Sequence, residues 1–271
     1  MLRLTPPITQ VCLREYRLDA PRAGADLSLP LPKPGCRQHW QPWSDVCAAI
    51  DAALRQAKGV LREPWLEFDH PYTAPPGVFF RLDQRRGAAA NAVLKARQHL
   101  MPTLTDPLPW PETSGSPLAI SHCGFFPSRR RHQQGCIRLN LTGSNQWSWL
   151  RLQAPTVCTA ELQALLEHSH LCWSATFDWG AKGMEQLGFE LFPAGRLQRG
   201  SQLKEARVQA LLHVLEPWCQ RTAVDQCLQQ HHNWHQDQLP HHRQSFSHIK
   251  LSPCNDGAWA MKLYLISHAA G

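Results

Sequence analysis

Residues capable of ionic chemistry recur in this chain at a spacing of two. In the C-terminal stretch Ser245–His268, SFSHIKLSPCNDGAWAMKLYLISH, two alternating runs flank a Pro-Cys-Asn-Asp-Gly turn. Successive strand residues point to opposite faces, so Ile249, Leu251, Met261, Leu263 and Leu265 share one side while His248, Lys250, Lys262 and Tyr264 share the other. The same alternation sets Glu67 against Leu66 and Phe68, Arg81 against Phe80 and Leu82, Arg138 and Asn140 against Ile137, Leu139 and Leu141, and Glu190 against Phe189 and Leu191. Ammonium, guanidinium, imidazole and phenol groups in register bind an anion by charge-assisted hydrogen bonds, and an interspersed carboxylate can take up a proton. Single charges beside Trp, Tyr, His and Phe suit a site that holds an anionic and an apolar group together.

The elements that must position these residues follow in a repeating order. Residues 1–43 are proline-rich and read as an extended arm, with one short strand possible at Val11–Leu18. Residues 44–271 read as a single domain. From Ser44 the stripe Val46, Ala49, Ile50, Ala53, Leu54 and Ala57 predicts a helix that stops at Gly59. Strands are predicted at Pro64–Asp69, Gly77–Asp83, Leu118–Phe126, Cys136–Thr142, Leu171–Asp178, Gln186–Phe192 and in the C-terminal hairpin. Helices are predicted at Ala88–Leu100, at Thr159–His168 behind a Thr159 cap, and at Leu203–Leu215 before Pro217. The result is an α+β chain of four strand-strand-helix units plus a leading helix. Such hairpins form an open sheet with helices on one face, or an antiparallel β-barrel with helices outside. Alternation is common to both; the lack of long Lys/Glu runs on the polar faces favours the barrel, with those faces lining a lumen.

With 271 residues the chain can bury a core without metal or disulfide staples, and a net charge of +7 suggests an anionic partner. No apolar run is long enough to span a bilayer and the N-terminus lacks a secretory pattern, so a cytoplasmic protein without membrane association is expected. Ten cysteines occur, no two separated by only two to four residues, which argues against a zinc knuckle and for reduced thiols. No P-loop, GxSxG elbow or GxGxxG follows a strand. The cluster HHNWHQDQLPHH at 231–242 puts His231 and His235 at i, i+4 but lacks the Glu of an HExxH site, so it reads as a mobile surface loop rather than a metal site. Arg129–Arg131 reads as a solvated loop tip that could attract an acidic peptide or nucleic acid.

Repeated strand-strand-helix units with basic and tyrosine residues on the inward faces resemble the aromatic prenyltransferase barrel, the αββα fold. Within that group the chain is most similar to the cyanobactin-type peptide prenyltransferases. The segments that carry the likeness are WLEFD and VFFRLD, the hairpin ISHCGFFPSRRRHQQGCIRLNL, and TFDWGAKGMEQLGFELFP, about half of the chain in family order. The resemblance implies an enzyme, a transferase that moves an isoprenyl group (dimethylallyl or geranyl) from an allylic diphosphate to a side chain of a ribosomal peptide natural product, with Mg2+. It implies Glu67 as the proton acceptor and Arg81 as a diphosphate contact. Arg138 lies in a strand where the family offers Lys and His at alternate positions; here those positions read Cys136 and Arg138. Lys250, Lys262 and Tyr264, with His122 and His248, complete the expected diphosphate site, and tryptophans are expected to wall the prenyl tail. No protein residue is assigned as a metal ligand. The alternative is a non-catalytic basic protein that recognises an acidic peptide or RNA, although nucleic acid is not the expected partner.

Overall fold

Alternation at period two becomes ten strands and six helices among the described residues. The computed structural model describes residues 11–18, 25–32, 43–70, 74–83, 88–104, 119–127, 136–143, 145–168, 171–180, 183–193, 206–218, 221–239, 241–254 and 258–269. In chain order the elements are β1 (Val11–Arg17), β2 (Asp26–Pro30), α1 (Ser44–Gln56), β3 (Leu61–Phe68), β4 (Gly77–Leu82), α2 (Ala89–Leu100), β5 (Ala119–Phe126) and β6 (Cys136–Thr142). They continue with α3 (Gln146–Gln153), α4 (Ala160–Leu166), β7 (Leu171–Gly180), β8 (Gly183–Pro193), α5 (Ala206–Val214), α6 (Arg221–Gln238), β9 (His242–Pro253) and β10 (Trp259–Ala269). The strands hydrogen-bond in the order β1-β10-β9-β8-β7-β6-β5-β4-β3-β2 and close into a barrel. The antiparallel barrel with helices anticipated from alternation is therefore the fold.

Two compact units divide the chain. The first comprises Met1–Ile8, Ser28–Gln146 and Thr176–Gln186; the second comprises Thr9–Leu27, Trp147–Ala175 and Leu187–Gly271. In the first, the apolar faces of β3 to β6 bury Leu66, Phe68, Phe80, Phe125, Leu139 and Leu141, with α1 packed on β3 and α2 on β5. Helix α1 turns Cys47, Ile50 and Ala53 into its buried stripe, and α2 does so with Ala92, Val93 and Ala96. Each large apolar side chain contributes roughly 1.5–3 kcal/mol on burial, so this face holds the sheet. In the second unit Ile249, Leu251, Leu263 and Leu265 are fully buried, and α6 packs against β10. The Thr159 hydroxyl accepts a hydrogen bond from the Leu162 amide at 3.3 Å and caps α4.

Several expectations are revised. Strand β1 forms where a short strand was anticipated at Val11–Leu18 and pairs with β10 from Val11↔His268 to Arg17↔Lys262, whereas β2 lies in the stretch read as an extended arm. The polar stretch containing His231 and His235 is not a surface loop but the 18-residue α6, which buries Val224, Cys227, His231 and His235 on one stripe. Helix α3 stands where none was predicted. Arg129–Arg131 lies outside the described residues. No helix among the described residues is long and apolar enough to cross a membrane.

Candidate functional site

In the second unit, the face turned away from the apolar core carries two rows across neighbouring strands. Register places Arg17 opposite Lys262, Lys262 opposite Lys250, and Lys250 opposite Glu190. The Ser174 hydroxyl donates to the Glu190 carboxylate at 3.3 Å and extends this row into β7. One step along the strands, Glu15 lies opposite Tyr264 and Tyr264 opposite His248. The His248 and Tyr264 rings stack with centroids 4.0 Å apart, and Phe192 lies 5.1 Å from His248 on its other side. A charged row thus runs beside an aromatic one, as the C-terminal alternation anticipates.

The wall is not purely cationic. Glu15, only 6 % exposed, accepts hydrogen bonds from the Lys262 ammonium and the Tyr264 hydroxyl, one on each carboxylate oxygen. Lys250 is equally buried and faces Glu190. Two carboxylates therefore balance two ammonium groups, consistent with the high cost of burying unpaired charge. Burial pushes His248 down to about 4, a shift that nearby Lys250 reinforces and that Glu190 and Glu15 oppose. Its imidazole is thus neutral at pH 7, with Nδ1 2.9 Å from the Ser247 hydroxyl.

The first unit carries its own polar ladder. One row is Arg62, Arg81, His122 and Asn140; the next is Trp65, Phe79, Gly124 and Arg138; beyond it Glu67 lies opposite Gly77. Glycine is required at two of these positions. A β-carbon on Gly77 would stand 2.3 Å from the Phe126 ring, and one on Gly124 would stand 2.7 Å from Phe79. Their absence lets Phe79 and Phe126 lie edge to face at 5.1 Å. Arg138 rests 5.2 Å from the Phe126 ring centre and grips Asp178 through two hydrogen bonds of 2.7 and 3.1 Å.

The sequence-predicted residues are thereby distributed as follows. Lys250, Lys262, Tyr264 and His248 form one group in the second unit. Glu67 is buried in the first unit, on the same strand face as Arg81 but four residues of strand away, roughly 13 Å. Arg81 stands at the exposed end of the ladder, its side chain 57 % exposed and 3.0 Å from Glu63. Glu63 reaches it because the register of β3 slips between Arg62 and Trp65, where Glu63 has a φ of 49° ahead of Pro64. His122 shares that exposed end, its Nδ1 3.0 Å from the Ser121 hydroxyl. Arg138 is already engaged by a carboxylate.

Sequence reasoning missed Glu15, Asp178 and Phe192. Glu15 meets Lys262 across 247 residues, and no local signal announces such a pairing. Its position within a short alternating run was the only available hint. The tryptophans expected to wall a prenyl tail divide differently. Trp173 and Trp259 lie 6.1 and 6.3 Å from Phe189, on the face opposite Lys250 and Glu190, and Trp218 lies 5.5 Å from Trp259. All three are half-buried there, away from the charged row.

No protein-family model matches the sequence, and no curated protein is detectably similar to it. Among solved structures, the crystal structure of AnaPT from Neosartorya fischeri is similar over 99 % of this chain and 80 % of that one, with a TM-score of 0.51 and 13 % identity. The crystal structure of 5-dimethylallyltryptophan synthase from Streptomyces coelicolor aligns over 98 % of this chain and 84 % of that one, at 13 % identity and a TM-score of 0.47. At such identity the likeness is one of fold, and the fold is the prenyltransferase barrel.

Proposed function

We propose that the protein is a prenyltransferase that moves an isoprenyl group from an allylic diphosphate to an acceptor side chain. One observation carries this reading: Lys250, Lys262, Tyr264 and His248 converge as a charged row beside an aromatic row on one strand face of the second unit. In such a transfer the allylic C–O bond breaks and the diphosphate leaves with the bonding electrons. The acceptor's electron pair then bonds to the allylic carbon, and the acceptor loses a proton. The leaving group needs fixed cationic and hydroxyl donors, and the allylic cation needs aromatic faces. Lys250 and Lys262 would supply charge and the Tyr264 hydroxyl a hydrogen bond. Neutral His248 would line the cation's path with Phe192. The family resemblance implies Glu67 as the acceptor of that proton.

The acceptor in this reading is a side chain of a ribosomal peptide, and the setting is cytoplasmic. Among the described residues no three or more His, Cys, Asp or Glu side chains are grouped to hold a metal ion. Magnesium binds largely through substrate phosphates with one or two carboxylates, so it would arrive on the diphosphate and neutralise charge there.

The test is calorimetric titration of the purified protein with dimethylallyl, geranyl and farnesyl thiolodiphosphates, with and without Mg2+. Micromolar binding that weakens at least tenfold in Lys262→Met, followed by a mass increase on peptide acceptors, is the expected result. Absence of binding with C5, C10 and C15 analogues would overturn the reading. RNA binding that falls steeply with salt would favour the basic binding protein instead.

A further inference from the structure

Beneath α6, on the opposite face of β1 from Glu15, the second unit buries a cationic cluster. Arg14 is 7 % exposed, with its guanidinium carbon 4.0 Å from the Trp234 ring centre and 5.2 Å from that of Tyr16. Its Nε and Nη1 are fully enclosed and have no hydrogen-bond acceptor. His231 is wholly buried, its Nδ1 3.2 Å from the Tyr16 hydroxyl and its Nε2 without a partner. His235, one turn along α6, is buried beside it on the same stripe, and the enclosed Ser267 hydroxyl meets the Cys12 thiol. Register sets Ser267 opposite Cys12, two residues before Arg14 on β1. Among the described residues no carboxylate is paired with Arg14.

We propose that this seam between β1, β10 and α6 is a binding site for a small inorganic anion of halide size, held by Arg14 with His231. Arginine is a permanent cation with a fixed fork of N–H donors. A water molecule could satisfy those donors but would leave a buried charge uncompensated, whereas a monatomic anion meets both needs. A metal cation is excluded by the same guanidinium. If Tyr16 donates its hydroxyl proton to Nδ1 of His231, the ring carries its own proton on Nε2 and presents a further donor. Burial, with a smaller contribution from Arg14, pushes His231 down to about 3, so the seam's own side chains carry one positive charge rather than two. The near-complete burial of these side chains leaves no route for a larger oxyanion. A seated anion would also tie α6 to the strand that carries Glu15.

Thermal unfolding of the full chain decides the matter, run in rising chloride at constant ionic strength with gluconate as the balancing anion. Wild type is expected to gain about 2–4 °C in a saturable manner, the rise that ~1 kcal/mol of binding gives a chain of this size. Arg14→Met should show no chloride dependence. Crystals soaked in bromide need no variant and should show an anomalous peak within hydrogen-bond distance of Arg14 Nε or Nη1. A flat response in wild type, an equal rise in Arg14→Met, or no anomalous peak at Arg14 would overturn the proposal.

Discussion

At the residue scale, Glu15 sets the character of the charged wall. It neutralises Lys262 and fixes the Tyr264 hydroxyl, so both donors are oriented before any ligand arrives. Glu15→Gln keeps an acceptor for Tyr264 but leaves Lys262 without its counter-charge. We expect a loss of about 1–3 kcal/mol in urea denaturation, the usual cost of an unmatched buried polar group; unchanged stability would show that water already satisfies Lys262. His248 makes a second prediction. Its unfolded value lies near 6.5 and its folded value near 4, so below pH 6.5 the unfolded chain binds a proton that the folded chain refuses. Stability therefore falls as pH drops from 6.5 towards 4, by up to ~1.4 kcal/mol per pH unit for this group. Depression of His231 acts in the same direction. Urea midpoints measured across this range should show a shallower slope for His248→Gln than for wild type.

At the element scale, close packing on the ladder of the first unit depends on missing side chains. Phe126 is 1 % exposed and edge-packed on Phe79, so it cannot withdraw from a β-carbon at Gly77. Gly77→Ala should cost about 1–3 kcal/mol by overpacking, and Phe126→Leu in the same chain should recover part of that loss. Additive losses in the double variant, measured by urea denaturation, would show that the ring is not the obstacle. Helix α6 illustrates why an element can be hidden. Its buried positions fall at Val224, Cys227, His231 and His235, a helical spacing, but two are histidines amid glutamines. Composition suggested a solvated loop, whereas the spacing of those four residues was the signal that pointed to a helix.

At the scale of the whole molecule, closure is what removes exposed strand edges. β1 supplies the partner of β10 along seven residues, and Leu18 adds a further bond to the Met261 carbonyl at 2.9 Å. Deletion of residues 1–18 should uncover the β10 edge and yield aggregated protein in size-exclusion chromatography. A monodisperse truncated chain would mean that the ladder does not depend on β1.

By itself the sequence determined the period-two faces, most of the strand and helix positions, and the grouping of His248, Lys250, Lys262 and Tyr264. These are local consequences of side-chain alternation and of residues near one another in the chain. Only the tertiary structure decided what stands opposite those groups. Glu15 on Lys262 and Tyr264, Asp178 on Arg138, and Arg14 under Trp234 arise from strand pairing and helix docking over long sequence separations. Periodicity orients a side chain relative to its own strand; it carries no record of the distant segment that arrives to face it.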